Sequence, residues 1–163
     1  PLFAWLWIFL AKRKMEPSTP VKFGLGIVQV GLGFGALVIG ASMPDAAGKV
    51  ALIWLIIAYL LHTTGELCLS PVGLSAVTKL AVSRVVGVMM GFWFFATAYS
   101  ELVAAQIAKI ASIDTEGGIV TDIAAALETY SGFFTQLLMI GGGFGLLVLL
   151  VSPLLKRGMH GVH

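Results

Sequence analysis

The sequence predicts an all-α bundle of membrane-spanning helices. Of its 163 residues, 58% are apolar and only 11% are charged, whereas soluble domains are about 25% charged. The mean hydropathy is +0.99. The apolar residues are gathered in runs of the length that a spanning helix needs, about 20 residues. A soluble fold of this length would leave too much of this apolar surface in water.

Five helical segments follow one another along the chain. The first, 1–11, is too short to span a bilayer, and four full spans are predicted at 21–42, 49–78, 85–110 and 132–155. The last linker contains a weak helical pattern at 119–130, which is compatible with a helix lying along the membrane surface. The chain starts inside an apolar segment, without Met and without a signal-peptide pattern, so we expect it to be a piece of a larger protein.

The charges of the linkers alternate in sign and predict an orientation. Eight of the ten basic residues lie in or beside the first linker, in the third linker or after the last helix; they are Lys12, Arg13, Lys14, Lys22, Lys79, Arg84, Lys156 and Arg157. Five of the eight acids lie in the other two linkers or just after them. Because basic residues near membrane ends favour the cytoplasmic side, we expect both basic linkers and the C-terminus to be cytoplasmic.

Glycine is concentrated in two of the spans. The glycines of the first span are Gly24, Gly26, Gly31, Gly33 and Gly35, and those of the last are Gly141, Gly142, Gly143 and Gly145. Small residues let membrane helices approach closely, so we interpret these glycines as packing surfaces. No strand precedes them, which argues against a nucleotide-binding loop.

Two carboxylates, Glu66 and Glu101, lie inside predicted spans. Glu66 is near the midpoint of its helix, and Glu101 is about one turn from the midpoint of its own. A carboxylate at that depth costs about 2.5–3.5 kcal/mol on insertion scales, and such residues usually face a bundle interior or a watery cavity. The alternatives are a protonated acid in a packed core or a purely structural polar contact. Both acids are candidates for function, and Glu101 is also a candidate for proton exchange.

A polar stripe surrounds Glu66 on its helix. His62, Glu66, Ser70 and Gly73 are three or four residues apart and therefore share a face, as expected for the wall of a cavity. Pro71 cannot donate a hydrogen bond to the carbonyl of Leu67, so we expect the helix to bend or open there. An anionic Glu66 favours a cation, such as a proton, a metal ion or an ammonium group.

His62 is a candidate for a proton relay with Glu66, since histidine titrates near neutral pH. The alternative is a histidine that only lines the cavity. One His, one Glu and Cys68 on another face are a poor ligand set, so no metal site is expected.

Aromatic side chains are clustered in the fourth helical segment, in the stretch GFWFFATAY (91–99). Trp93 and Phe94 lie in mid-helix rather than at the interface, where aromatic belts are found. Core packing is one interpretation. Trp93 and Thr97 share a face, however, and an aromatic ring beside a small polar group suits an organic substrate, including a cationic amine.

The stretch GELCLSPVGLSAVTKLA (65–81) resembles the tenth-helix signature of the proton-dependent oligopeptide transporters, which belong to the major facilitator superfamily. The flanks are similar too: PLFAWLW resembles the eighth helix, EPSTPVKFGLGIVQVGLGF the ninth, VVGVMMGFWFFATAYSELVAAQIAKI the eleventh, and the closing apolar run the twelfth. The resemblance covers residues 1–155 and implies part of the C-terminal half of a major facilitator fold. Val82 departs from the family, which has proline there.

The resemblance implies a symporter that carries di- and tripeptides inward with protons, in the cytoplasmic (inner) membrane of a bacterium. Glu66 matches the family glutamate that receives the ammonium group of the peptide. Ser70, Trp93, Phe94 and Thr97 match positions that line the peptide site. Protons are the implied coupling ion, with no organic cofactor.

Pro71, followed by Gly73, matches the point where the tenth helix bends as the inner gate closes. Other functional motifs of the family belong to earlier helices, so the implied partners are N-terminal helices of the same protein, the peptide, protons and the lipid bilayer, with no nucleic acid and no enzymatic activity. Two alternatives remain open: a major facilitator carrier of another small solute such as nitrate, and a membrane subunit without a transport role.

Overall fold

The computed structural model describes residues 2–110, 115–116, 119–120 and 122–159, and most of them are helical. The helices are α1 (Leu2–Lys12), α2 (Thr19–Ala41), α3 (Leu52–Leu80), α4 (Val86–Ile110) and α5 (Ile123–Gly158). Between α4 and α5, the two-residue strands β1 (Thr115–Glu116) and β2 (Ile119–Val120) pair in antiparallel fashion. Helices α2, α3, α4 and α5 are long and apolar enough to cross a membrane, which confirms the predicted helical membrane bundle.

Helix α5 begins earlier than the sequence indicates. It starts at Ile123 rather than near 132, so most of the predicted surface segment 119–130 belongs to a spanning helix, while residues 119–120 form β2. Asp122 caps the helix, because its side chain accepts a hydrogen bond from the amide of Ala125 at 3.0 Å. The hydroxyl of Thr129 donates to the carbonyl of Ala125 at 2.9 Å, so this polar residue is satisfied by its own helix.

Helix α2 is the centre of the bundle, with α3 on one side and α5 on the other. On the α5 side, a Cβ atom on Gly31 would lie only 2.6 Å from the backbone nitrogen of Gly142. On the α3 side, a Cβ atom on Gly26 would lie 2.8 Å from the carbonyl oxygen of Gly65. These backbones touch because neither helix carries a side chain there, which is how membrane helices commonly associate.

The interior of the bundle is made of small residues. The buried apolar side chains of the described residues are Ala36, Ala58, Cys68 and Ala126. Large apolar side chains lie outside instead, such as Leu150, which is 78% exposed. A protein that keeps its large apolar groups outside is adapted to hydrocarbon or to further helices rather than to water.

Consecutive helices run in opposite directions, so the start of α2 lies near the end of α3 and the end of α5. At one end, an apolar cavity of about 680 Å³ is lined by residues of four helices, including Thr19, Leu80, Val85 and Leu155. At the other end, Ala41, Leu52 and Leu127 line a second cavity. Helix α4 packs least, and the side chains of residues 86–109 are exposed or half-buried.

Candidate functional site

Glu66 is the middle residue of the 29-residue helix α3. Its neighbour Gly65 is buried against α2, whereas Glu66 itself is exposed. Residues seven positions apart share a helix face, and Gly73 on that face contacts Trp93 of α4. Glu66 and Gly73 therefore lie on one flank of α3, which Trp93 covers at Gly73 and which is exposed at Glu66. We call this exposed flank of α3, next to α4, the cleft. Within the described ranges, its carboxylate has no hydrogen bond and no salt bridge.

Ser70 and Gly73 of the predicted stripe follow Glu66 along α3, whereas His62 contacts α2. Ser70 is half-buried one turn after Glu66, and Gly73 is buried. Pro71 is exposed, and α3 continues as a helix through it to Leu80. The proline still leaves the carbonyl of Leu67 without its usual helical donor, so the middle of α3 has a gap in its hydrogen-bond ladder between Glu66 and Gly73.

Trp93 of α4 packs its ring against α3 at Gly73. Its ring occupies the position that a side chain on Gly73 would take, and it lines the apolar cavity together with Val77 and Met89. Thr97 lies one turn further on α4, and its hydroxyl donates to the carbonyl of Trp93 at 3.0 Å. Phe94 is 58% exposed. Trp93 and Gly73 are thus brought together, while Phe94 and Thr97 lie on open surface of α4, and their role in substrate binding stays a prediction.

Glu101 lies at about the same depth as Glu66. Helices α3 and α4 are consecutive and antiparallel, and they touch at Gly73 and Trp93. Glu66 precedes Gly73 by seven positions and Glu101 follows Trp93 by eight, which corresponds to about 10–12 Å along the helices from the same contact. Glu101 is exposed, and no hydrogen bond or salt bridge to it occurs among the residues that the structure describes.

His62 lies between α2 and α3. Its Nε2 is 3.1 Å from the carbonyl oxygen of Val30, and its ring centre is 4.7 Å from that of Phe34. A carbonyl oxygen only accepts, so Nε2–H is the donor. The predicted proton relay with Glu66 stays a prediction, whereas the contact across to α2 was not predicted, because sequence spacing relates residues of one helix only.

A second polar contact that the sequence does not predict lies near the start of α2. Lys22 is only 6% exposed. Its ammonium nitrogen is 2.5 Å from a carboxylate oxygen of Glu16 and 4.7 Å from the ring centre of Trp7. A small polar cavity of about 170 Å³ beside this pair is also lined by Pro71 and Ser75. A lysine at the start of an apolar helix is the signal in the sequence that points to such a pair.

No group of three His, Cys, Asp or Glu side chains that would hold a metal ion is found in residues 2–110 and the described parts of 115–159. The chemistry that the cleft offers is therefore charge complementarity. Glu66 and Glu101 lie at about one depth, and neither carboxylate has a hydrogen bond or salt bridge to another residue that the structure describes.

A model of the POT family matches residues 1–123 of this chain. The chain belongs to the POT family. As a POT family member it is part of a family of transporters and not of enzymes, which confirms the resemblance in the tenth-helix signature.

Bacterial relatives match between 66% and 99% of the chain. The "Uncharacterized transporter YclF" of Bacillus subtilis (strain 168) is 41% identical over 99% of this chain. The "Dipeptide and tripeptide permease A" of Edwardsiella piscicida is 38% identical over 93% of it. The "Peptide transporter YePEPT" of Yersinia enterocolitica is 41% identical over 66% of it.

A solved POT structure shares the fold. The crystal structure of the peptide transporter POT in complex with sulfate matches 96% of this chain with a TM-score of 0.78 and 33% sequence identity. The chain spans only 28% of that structure, 30% of YclF, 32% of the Edwardsiella permease and 21% of the Yersinia transporter. It therefore corresponds to less than a third of the length of these POT relatives.

Proposed function

We propose that this chain is the C-terminal part of a proton-coupled symporter of di- and tripeptides, and that it works with further N-terminal helices of the same polypeptide. The names of its relatives support a peptide as substrate. The share of about 30% of a relative's length supports the need for more helices. Helix α4, which is largely unburied, supplies surface for them.

The observation that carries this proposal is the exposed carboxylate of Glu66 in the middle of α3, which has no hydrogen-bond or salt-bridge partner among the described residues. A carboxylate at membrane depth needs a compensating positive charge, a proton or water. The ammonium group of a peptide supplies such a charge and can approach through the cleft. Ser70 is one turn away as a hydrogen-bonding group, and Phe94 and Thr97 offer aromatic and hydroxyl surface from α4.

Pro71 and Gly73 form the proposed hinge of α3. Pro71 weakens the ladder of α3 next to the binding carboxylate. Gly73 accepts the ring of Trp93 just beyond the proline, so the second half of α3 is tied to the first half of α4. Bending at Pro71 would then move both helix ends together and change access to the cleft.

Protons are the proposed coupling ion. Glu101, an exposed carboxylate at about the depth of Glu66, is the first candidate to exchange them, with His62 as the second. The alternating linker charges support a C-terminus in the cytoplasm of a bacterium, with the protein in the inner membrane.

Uptake measurements with the full-length transporter that contains this chain test the substrate class. We expect an excess of an unlabelled dipeptide to abolish uptake of a labelled dipeptide, an equal excess of nitrate to leave it unchanged, and collapse of the proton gradient to stop accumulation. Competition by nitrate and not by dipeptides would replace the peptide with another small solute. Uptake that ignores both solutes would favour a membrane subunit without this transport role.

A further inference from the structure

The contact of His62 with α2 lies one helical turn from Glu66, at a place where α2 has no side chain. The imidazole ring fills the space beside Gly33, where any Cβ atom would overlap Cδ2 and Nε2 of the ring. Phe34 closes one side of this space, with its ring tilted by 56° relative to the imidazole. The shape of α2 therefore fixes where the imidazole lies.

The hydrogen bond of His62 constrains the relative orientation of α2 and α3 as well as the position of the ring. Nε2–H donates to the carbonyl of Val30 at 3.1 Å. In the interior of a membrane protein there is little water to replace such a bond, so a side-chain donor aimed at a neighbouring helix favours one orientation of the two helices. A purely apolar ring would fill the same space without this preference.

Two contacts on neighbouring faces determine how α3 is rotated against α2. Gly65 touches the carbonyl oxygen of Gly26, with 2.7 Å between that oxygen and a Cβ built on Gly65. His62, three residues earlier, binds Val30. With both contacts made, Glu66 follows Gly65 by about 100° around the helix and faces the cleft.

We propose that His62 is a positioning residue, whose hydrogen bond to the Val30 carbonyl holds Glu66 toward the cleft between α3 and α4. The proposal rests on the proposed function for its substrate, because Glu66 is taken to receive the ammonium group of a peptide. The groups that face the imidazole from α2 are uncharged, and Glu66 on its own helix is the nearest acid in sequence. The bond acts by fixing the rotation of α3 relative to α2, and His62 does not itself contact the peptide.

The test compares His62→Gln with His62→Leu in the full-length transporter. Glutamine carries an amide donor at about the reach of Nε2, whereas leucine fills space without a donor. The readout is amine selectivity, defined as the affinity for a free dipeptide divided by the affinity for its N-acetylated form. We expect His62→Leu to lower this ratio about tenfold and His62→Gln to keep it within about threefold. Thr63→Ala, at the next position on an exposed face, is the matched control and should leave the ratio unchanged.

A second measurement needs no peptide and reports whether the side chain at position 66 is accessible to water. In a background without native cysteines, including Cys68→Ala, Glu66→Cys is alkylated by a water-soluble thiol reagent. We expect His62→Leu to slow this labelling at least about fivefold and His62→Gln to leave it unchanged. Equal labelling in all three backgrounds, or equal loss with Gln and Leu, would overturn the positioning role. A wild-type transporter without amine selectivity that still shows the labelling difference would instead contradict the proposed substrate.

Discussion

At the scale of single residues, Lys22 shows how a charge is kept inside an apolar bundle. The lysine is buried, but its ammonium is paired with Glu16 and lies over the ring of Trp7. The two partners are not equally protected, because the Lys22 side chain is 7% exposed and that of Glu16 is 33% exposed. Loss of the acid therefore leaves a buried charge alone, whereas loss of the lysine leaves an acid that water reaches.

This asymmetry predicts the ranking of two variants. Glu16→Gln should lower the Tm of the purified full-length protein in detergent more than Lys22→Met, since an uncompensated buried charge costs about 1–3 kcal/mol or more. The double variant should resemble Lys22→Met, because no buried charge is left in it. A larger loss for Lys22→Met, or two losses that simply add, would contradict this account of the pair.

The sequence draws attention to candidate residues but not to the contacts that they make. Glu66 stands out in any hydropathy profile, because a carboxylate is costly at membrane depth. The partners of His62 and Trp93 do not stand out, since Gly33 and Gly73 contribute empty space. Which glycine faces which ring depends on how two helices are rotated, and that information is not local.

At the scale of helices, hydropathy predicts that a span exists but not where it ends. The beginning of α5 was missed because Thr129, Tyr130 and Ser131 look like linker residues, while the structure satisfies Thr129 within the helix. The cap provided by Asp122, followed by an alanine-rich stretch, was a signal for the earlier start. The four spanning helices themselves were predicted from their apolar runs.

The contact between α3 and α4 predicts a helix-scale effect. Gly73→Ala places a methyl group where the ring of Trp93 lies, so the ring must leave α3 or the helices must separate. We expect dipeptide uptake by the full-length transporter to fall at least about fivefold, with little change in the amount of protein in the membrane. Gly91→Ala, on α4 with open space around the added methyl group, is the matched control and should retain uptake. Normal uptake by Gly73→Ala would contradict a coupled movement of α3 and α4.

At the scale of the whole molecule, the chain has two kinds of surface. Helices α3 and α5 each bury small residues against α2, whereas α4 exposes Phe92, Phe95 and Tyr99 by 64%, 67% and 59%. Lipid and the N-terminal helices of the proposed transporter are the environments that would cover this apolar surface. The cleft with Glu66 becomes an enclosed site only once such helices form its other wall.

The most direct test of the central claim is the affinity of the full-length transporter for a free dipeptide and for its N-acetylated form, measured by competition in detergent with and without Glu66→Gln. An ammonium–carboxylate pair worth about 1.4 kcal/mol corresponds to a tenfold change in affinity. We expect the wild type to favour the free dipeptide at least about tenfold, and Glu66→Gln to bind both forms equally by losing affinity for the free one. A Glu66→Gln variant that still favours the free dipeptide as strongly as the wild type would contradict the role of Glu66.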